Sequence, residues 1–185
     1  MKRLKVAVVG AGHLGRIHAR LLSGIDRVEL VGVVDPVEEV RRHVAQQYAT
    51  RALADHGELI GQVDAAIVAT PTRDHHAVAL DLLNRGIHLL VEKPLASTLA
   101  EADQLVDAAR AGGVVLQVGH VERFNPALAA AKPHVGQPKY IDAIRTSPYT
   151  LRSTDIGVVL DLMIHDLDIV LAFVGSPVEH VDAAG

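Results

Sequence analysis

Short runs of Val, Ile and Leu alternate along this chain with longer segments of helical periodicity, and this alternation restricts the possible folds more than any other feature. The predicted strands begin at Leu4, Val28, Asp64, Ile87 and Val114. Strands of a parallel sheet are buried on both faces and have this apolar character, and the segments between them have the length of crossover helices. The alternation predicts an α/β fold with a doubly wound parallel sheet, followed by the start of a smaller α+β domain.

The bounds of these elements follow from the runs and from the helical periods between them. Strands are expected at Leu4 to Val9, Val28 to Val34, Asp64 to Ala69, Ile87 to Val91 and Val114 to Val118. Helices are expected at His13 to Ser23, Val37 to Tyr48, Asp74 to Arg85 and Thr98 to Ala111. The segment from Ala49 to Gln62 has no clear period.

The pattern changes after Gln117, so a first domain is predicted over residues 1–118 and part of a second over residues 119–185. The second part is expected to contain a helix at Pro126 to Lys132, a strand at Lys139 to Thr146, a loop rich in Ser, Thr, Pro and Tyr, one amphipathic helix at Gly157 to Val174 and a strand at Val178 to Ala183. So few strands do not make a stable sheet, and we expect this domain to be incomplete.

Composition excludes several classes of partner. The net charge is −4, and Lys and Arg form no cluster, which argues against nucleic-acid and anionic membrane surfaces. The chain has no cysteine, so disulfides and thiolate metal sites are excluded. No apolar run reaches the length of a membrane span. A cytoplasmic protein with a small-molecule partner is the expectation.

The segment Gly10 to Gly15 has the spacing G-x-G-x-x-G and stands between the first predicted strand and the first predicted helix. In a dinucleotide-binding Rossmann domain, the first glycine permits a tight turn, the second admits the pyrophosphate and the third allows close helix packing. The helix N-terminus offers N–H groups to the anion. The alternative is an ordinary strand-to-helix turn. The residues expected to contact the cofactor here are Gly10, Gly12, His13, Leu14 and Gly15.

Asp35 ends the second predicted strand, twenty residues after Gly15. A carboxylate at this place accepts hydrogen bonds from the adenosine ribose and repels a 2′-phosphate, which favours NAD over NADP. The alternative is a helix cap, because Pro36 follows at a position that suits the first residue of a helix.

Two further segments follow predicted strands and should lie at the carboxyl edge of the sheet, where open α/β sheets bind ligands. Thr70, Pro71 and Thr72 follow the strand that begins at Asp64, with a plain turn and a helix cap at Thr72 or Asp74 as the alternative. Lys93 follows the strand after that, where it could exchange a proton with a substrate hydroxyl. Its alternative is a solvated loop lysine.

Asp161, His165 and Asp168 have spacings of four and three, which place them on one face of a helix. The helix contains no Lys, Arg or Glu, so this polar strip favours a cleft over a solvated face. Asp161 and His165 could also bind a metal, although no further ligand pattern accompanies them. We predict no metal. His18, His43, His56 and His88 have no spacing that indicates a function.

Together, the glycine loop, Thr70 to Thr72 with His75, the Glu92-Lys93-Pro94 triplet and the Asp161-x-x-x-His165 pair resemble the glucose-fructose oxidoreductase, inositol dehydrogenase and MocA family. The resemblance spans essentially the whole chain. It implies an NAD-dependent sugar dehydrogenase with a Rossmann domain and an α/β substrate domain that extends well beyond residue 185. It also implies a homo-oligomer, a dimer or a tetramer.

The resemblance assigns roles residue by residue. It implies that Lys93 and His165 are catalytic and that Asp161 orients His165 or binds substrate. The further residues that it places beside NAD are Thr70, Pro71, Thr72, His75, Glu92 and Lys93. Which of Lys93 and His165 takes the proton stays open.

Within this family, the segments Val118 to Pro126 and Asp155 to Asp161 are similar to the branch of UDP-N-acetylglucosamine 3-dehydrogenases. That similarity implies a nucleotide-sugar substrate contacted by Arg123 and Asn125, whose alternative role is to cap or anchor the helix that follows. An inositol or free aldose dehydrogenase is a second possibility. A non-catalytic NAD-binding sensor or regulatory protein is a third.

Overall fold

The computed structural model describes residues 2–147 and 156–184. These residues form two compact units, Met1–Gly119 and His120–Gly185. Asp155 and most of the predicted loop rich in Ser, Thr, Pro and Tyr lie outside the described residues.

The first unit contains a six-stranded, all-parallel sheet with the strand order β3-β2-β1-β4-β5-β6. Its strands are β1 Leu4–Val9, β2 Val28–Val34, β3 Arg51–Leu53, β4 Ala65–Val68, β5 His88–Glu92 and β6 Leu116–Gly119. The predicted α/β fold with a doubly wound parallel sheet is confirmed. The chain leaves β1 toward β2 on one side and returns through β4 on the other, so the loops after β1 and β4 flank the crevice where such sheets bind ligands.

Strand β3 has no counterpart among the predicted strands. It is three residues long and pairs with β2, with Gly32 opposite Arg51. So short a strand is defined by its partner, and its local sequence carries no period that would identify it. A single 3-10 turn, His56–Leu59, follows it.

The helices of the first unit are α1 His13–Ser23, α2 Glu38–Gln47, α3 Thr72–Asn84 and α4 Leu99–Gly112. They cover the sheet on both faces. Val6 and Val8 of β1 belong to the core that α1 and α2 complete, whereas Ala7 and Val9 belong to the core that α3 and α4 complete. Successive side chains of a strand point to opposite faces, so the continuous apolar run of β1 serves both cores.

The described residues of the second unit contain helices and no strand. It contains a 3-10 turn at Val121–Phe124, helix α5 Pro126–Val135, a π-helical segment at Val159–Met163 and helix α6 Ile164–Val174. The prediction of one α-helix from Gly157 to Val174 is therefore wrong in its first part, because the π segment has wider turns than an α-helix. No helix within residues 2–147 and 156–184 is long and apolar enough to cross a membrane.

The two strands predicted for the second unit, Lys139 to Thr146 and Val178 to Ala183, are wrong. Neither segment forms a strand. A strand exists through its hydrogen bonds to a neighbouring strand, and no strand of the described residues pairs with either segment. The local enrichment in Val and Ile was not sufficient to specify a partner.

Candidate functional site

The glycine loop forms a tight connection between β1 and α1. Gly10 has φ of +93°, and a Cβ there would lie 2.5 Å from the carbonyl oxygen of Ala69, at the end of β4. A Cβ at Gly15 would lie 1.7 Å from the carbonyl oxygen of Gly10. Both positions therefore require glycine, the first for its backbone conformation and the second for the close approach of α1 to the loop.

Gly12 is the N-cap of α1 and differs from its two neighbours in the motif. A Cβ at Gly12 would meet no heavy atom within 4 Å. His13 and Leu14 follow in the first turn and are also exposed. The first N–H groups of a helix have no partner within the helix, and the first turn of α1 has no acidic side chain. This end of α1 therefore offers an accessible, electropositive surface of backbone N–H groups.

Asp35, directly after β2, braces the glycine loop. Its Oδ2 accepts a hydrogen bond of 2.9 Å from the N–H of Ala11, and its Oδ1 accepts one of 2.9 Å from the N–H of Val37. The alternative that Asp35 caps α2 is not what is observed, because α2 begins at Glu38 with Val37 as its N-cap. A carboxylate can accept about four hydrogen bonds, so both oxygens of Asp35 retain capacity for a ribose hydroxyl.

The segment after β4 contains a buried polar atom without a hydrogen-bond partner among the described residues. The hydroxyl Oγ1 of Thr70 is buried, and no described residue offers it a hydrogen bond. Pro71 is the N-cap of α3 and Thr72 is its first residue, with no side-chain cap from either. The predicted alternative, a cap at Thr72 or Asp74, is therefore not observed. An unsatisfied buried hydroxyl is costly unless a ligand or water completes it.

His75 lies in the first turn of α3 and is only 1% exposed. Its Nδ1 lies 2.8 Å from the carbonyl oxygen of Pro94, and its Nε2 lies 2.9 Å from the carbonyl oxygen of Thr70. The ring thus joins the loop after β4 to the loop after β5. The resemblance placed His75 beside the cofactor; in the structure both of its ring nitrogens contact the main chain.

Glu92 is the last residue of β5 and is buried. Its Oε1 accepts a hydrogen bond of 2.6 Å from Nε2 of His18, in α1. Lys93 follows at the carboxyl edge of the sheet and is half-buried. Sequence reasoning missed His18. The signal was its spacing from Gly15, since residues three apart share a helix face and Gly15 is on the buried face of α1.

In the second unit, Arg123 and Asp168 form a bidentate ion pair. Nε of Arg123 donates to Oδ2 of Asp168, and Nη2 donates to Oδ1, both at 2.7 Å. Burial raises the pKa of the Asp168 carboxyl, but the hydrogen bonds from Arg123 and the charges of His120, Arg123 and His165 outweigh it, so the pKa is lowered. The same hydrogen bonds raise the pKa of the Arg123 guanidinium. Asp168 therefore holds Arg123 in place.

A second ion pair joins Arg145 to Asp166, with three N–H···O hydrogen bonds between 2.8 and 3.0 Å. The hydrogen bonds from Arg145 lower the pKa of Asp166. Asn125 acts as the N-cap of α5, where its Oδ1 accepts a 3.0 Å hydrogen bond from the N–H of Ala127. The alternative role for Asn125, capping the helix that follows, is thus present in the structure.

Asp161 lies in the π-helical segment, and His165 is the second residue of α6. Both side chains are half-buried, whereas Asp168 is 8% exposed. The three residues of the predicted polar strip therefore differ in exposure: Asp168 is buried, whereas Asp161 and His165 are more accessible. Within residues 2–147 and 156–184, no three His, Cys, Asp or Glu side chains are arranged to hold a metal ion.

Comparison with protein families identifies the first unit. Residues 4–120 match the model of the GFO_IDH_MocA oxidoreductase family, described as an NAD-binding Rossmann fold. The chain belongs to this oxidoreductase family. Its first unit is accordingly an NAD-binding Rossmann domain, and the predicted resemblance is confirmed.

Two relatives in this family are similar along the whole chain. The UDP-N-acetylglucosamine 3-dehydrogenase of Acidithiobacillus ferrooxidans is 39% identical over 186 residues, which cover 100% of this chain and 59% of the relative. The scyllo-inositol 2-dehydrogenase (NAD(+)) of Bacillus subtilis is 30% identical over 196 residues, which cover 99% of this chain and 57% of the relative. The chain thus spans less than three fifths of the length of either.

Solved structures of family members have the same fold. The structure of GnnA, the UDP-N-acetylglucosamine 3-dehydrogenase from Acidithiobacillus ferrooxidans, superposes with a TM-score of 0.88 at 40% identity, covering 95% of this chain and 58% of that one. The structure of GenD2 from gentamicin A biosynthesis, in complex with NAD, superposes with a TM-score of 0.84 at 30% identity, covering 96% and 55%.

The residues of this chain fit the dinucleotide of the family. The space beside Gly12 admits a phosphate group, and the N–H groups at the start of α1 can donate to it. The buried hydroxyl of Thr70, which has no hydrogen-bond partner among the described residues, can be completed by a bound cofactor. Asp35 closes the opposite side of the glycine loop through its contact with Ala11.

Proposed function

We propose that this chain is the NAD-binding portion of a dehydrogenase that oxidises a secondary hydroxyl of a sugar or nucleotide sugar. One observation carries the proposal: Lys93 directly follows β5, and β5 pairs with β4, whose following loop contains the unsatisfied hydroxyl of Thr70. A lysine thus stands at the same edge of the sheet as the groups that fit the cofactor. Membership of the oxidoreductase family supports this placement.

The proposed reaction consists of a hydride transfer and a proton transfer. When bound, NAD supplies the acceptor for the hydride that leaves the carbinol carbon. Either Lys93 or His165 accepts the hydroxyl proton, so that the hydroxyl becomes a carbonyl. Asp161 orients His165 or binds the substrate. Positioning of these groups contributes as much to the rate as their basicity, because a small displacement of a reacting group is costly.

Substrate binding is proposed for Arg123 and Asn125. Two of the five N–H donors of Arg123 are used by Asp168, which leaves three for a phosphate or a hydroxyl. A pair that fixes one side of a guanidinium also orients the other, so Asp168 prepares Arg123 for an anionic ligand. Asn125 uses Oδ1 as a helix cap and donates from Nδ2 to Glu122, and its contribution to binding is proposed to be smaller.

NAD is proposed as the preferred cofactor over NADP. The carboxylate of Asp35 follows β2 and contacts the N–H of Ala11. A ribose 2′-phosphate at this place would meet a negative charge, whereas ribose hydroxyls can donate to it.

The nucleotide-sugar substrate is proposed because the relative at 39% identity is a UDP-N-acetylglucosamine 3-dehydrogenase. An inositol substrate is the second candidate, favoured by the scyllo-inositol 2-dehydrogenase at 30% identity. Residues 120–184 are proposed to belong to a substrate domain that also supports assembly into a homo-oligomer.

The test is formation of NADH by the whole protein with UDP-N-acetylglucosamine, scyllo-inositol or glucose as substrate. Lys93→Ala is the test variant, and Lys2→Ala, an exposed lysine before β1, is the matched control. Turnover with the UDP-sugar that falls by roughly 10²-fold or more in Lys93→Ala alone supports the proposal. Turnover with scyllo-inositol and with neither of the other two substrates supports the second candidate substrate. NAD binding with no turnover on any substrate indicates a sensor and contradicts the dehydrogenase.

A further inference from the structure

The main chain is held on both sides of Lys93 by a histidine. The residue before Lys93 is Glu92, whose side chain contacts His18 of α1, and the residue after it is Pro94, whose carbonyl oxygen contacts His75 of α3. We propose that His18 and His75 are positioning residues that fix Lys93 at the edge of the sheet. The inference rests on the proposed function, in which Lys93 exchanges a proton with the substrate.

His75 acts through two carbonyl oxygens. Carbonyl oxygens only accept hydrogen bonds, and a neutral imidazole has one N–H, so the ring donates to either Pro94 or Thr70 while its other nitrogen lies against the second carbonyl oxygen. The ring is 1% exposed, and water does not replace these contacts cheaply in such a place. His75 therefore sets the distance between the loop that bears Thr70 and the loop that bears Lys93.

His18 acts through the carboxylate of Glu92. The side chains of His18 and Glu92 are 15% and 7% exposed, and the contact between Nε2 and Oε1 is 2.6 Å. A buried carboxylate needs hydrogen-bond partners to offset the loss of hydration. Gly119 lies opposite Glu92 in β6, and a Cβ there would lie 3.0 Å from Oε2 of Glu92. The carboxylate is therefore confined between α1 and the backbone of β6.

The two histidines contact the residues before and after Lys93 from opposite faces of the sheet. Helix α1 contributes Ala19 and Leu22 to the core on one face, and α3 contributes Ala79 and Leu82 to the core on the other. The same helices begin at the phosphate-binding turn and at the loop of Thr70. The two helices that frame the cofactor site thus also fix the backbone of Lys93, which links the position of the lysine to that of the cofactor.

Conservative variants separate the two contacts of His75. In His75→Asn the amide nitrogen replaces Nδ1 and can donate to Pro94. In His75→Gln the amide nitrogen replaces Nε2 and can donate to Thr70. His75→Phe removes both ring nitrogens. The matched control is His76→Gln, the next residue of α3, whose ring contacts Gln104 at the surface.

If His75 positions Lys93 through Pro94, the three His75 variants should differ in kcat. In the whole protein, His75→Gln and His75→Phe should lower kcat by on the order of 10- to 100-fold, with the Kd for NAD changed by less than about threefold. His75→Asn should retain kcat within about threefold. Amide hydrogen exchange measured without substrate should be faster over residues 92–98 in the Gln and Phe variants and unchanged in the Asn and His76→Gln variants. A purely structural role predicts instead that kcat follows the melting temperature in all three variants.

A second pair of variants covers the case in which a His75 variant fails to fold. His18→Gln keeps a donor near the position of Nε2 and should retain kcat and the exchange rates of residues 92–98. His18→Phe should have a lower kcat and faster exchange over these residues. Equal behaviour of the Gln and Phe variants at position 18, together with equal behaviour of Asn and Phe at position 75, overturns the inference. If the unmodified protein shows no turnover, the dehydrogenase proposal fails, and hydrogen exchange over residues 92–98 still decides whether the histidines position the loop.

Discussion

Asp168 and Arg123, 45 residues apart in the chain, form two parallel hydrogen bonds of 2.7 Å. The carboxylate is buried in α6, whereas 52% of the Arg123 side chain is exposed. The pair therefore ties the turn before α5 to α6 and leaves part of the guanidinium accessible.

Replacing Asp168 with Asn should destabilise the second unit, because the amide lacks the negative charge and its NH2 group replaces one of the two oxygens that accept from Arg123. We expect a loss of about 1–3 kcal/mol in the free energy of unfolding, as for a hydrogen bond to a charged group. Thermal or denaturant unfolding of the whole protein measures it. Asp107→Asn is the control, since its pair with Arg110 is exposed, and a change of less than about 0.5 kcal/mol is expected. Equal losses in the two variants would contradict a special role for Asp168.

Acid should weaken the second unit through Asp166 and Asp168. Both carboxyls have a pKa below their ordinary value in the folded protein, Asp166 through its hydrogen bonds from Arg145 and Asp168 through those from Arg123, against the effect of burial. A lowered folded-state pKa contributes stability that is present above the ordinary carboxyl range and is lost as the pH falls through the lowered value. The loss should thus appear below about pH 4.

The measurement for this prediction is the melting temperature as a function of pH. The double variant Asp166→Asn, Asp168→Asn should be less stable at neutral pH and should lose less on acidification than the unmodified protein. Parallel curves for the two proteins would show that other groups cause the acid sensitivity.

Gly10→Ala should mainly reduce stability, whereas Gly12→Ala should mainly weaken NAD binding. At Gly10 the backbone has φ of +93°, and a methyl group would collide with Ala69, so Gly10→Ala should lower the melting temperature strongly. At Gly12 a methyl group meets no protein atom within 4 Å but occupies the approach to the phosphate site, so Gly12→Ala should fold normally and bind NAD at least about tenfold more weakly. Calorimetric titration with NAD and a thermal melt separate the two effects. Equal melting temperatures would contradict the assignment for Gly10.

Asp35→Asn and Asp35→Ser should shift the cofactor preference. Both remove the negative charge that disfavours a 2′-phosphate, so the ratio of the Kd values for NADP and NAD should fall by roughly tenfold or more. Asn can still accept from the N–H of Ala11, and Ser reaches it less well, so Ser should weaken the binding of both cofactors further. An unchanged ratio in both variants would show that Asp35 does not select the cofactor.

The sequence predicted the first unit well because its strands carry their own signal. β1 and β2 have the predicted bounds, and both are mostly apolar runs whose last residues are buried. β3 was missed because three residues, Arg51–Leu53, form a strand only through pairing with β2. The strands predicted at Lys139 to Thr146 and Val178 to Ala183 fail for the converse reason, since strand-like composition supplied no partner.

The candidate site was predictable where its residues follow strands, and less so where tertiary contacts decide. The glycine loop, Asp35, Thr70 and Lys93 could be placed from the order of the strands alone. The spacing of His18 from Gly15 places His18 on the buried face of α1 but does not identify its partner Glu92, which is 74 positions away in the chain. Asp168 was predicted to share a polar strip, and its contact with Arg123 gives it a supporting role that spacing along the helix does not reveal.

Both outer strands of the sheet are short. β3 has three residues and β6 has four, and Arg51 in β3 is exposed. An edge strand offers unpaired N–H and C=O groups to any other chain, and natural proteins limit this hazard with short edges and charged side chains. The first unit, whose core is rich in Val and Leu, therefore exposes little backbone from which fibrous aggregation could start.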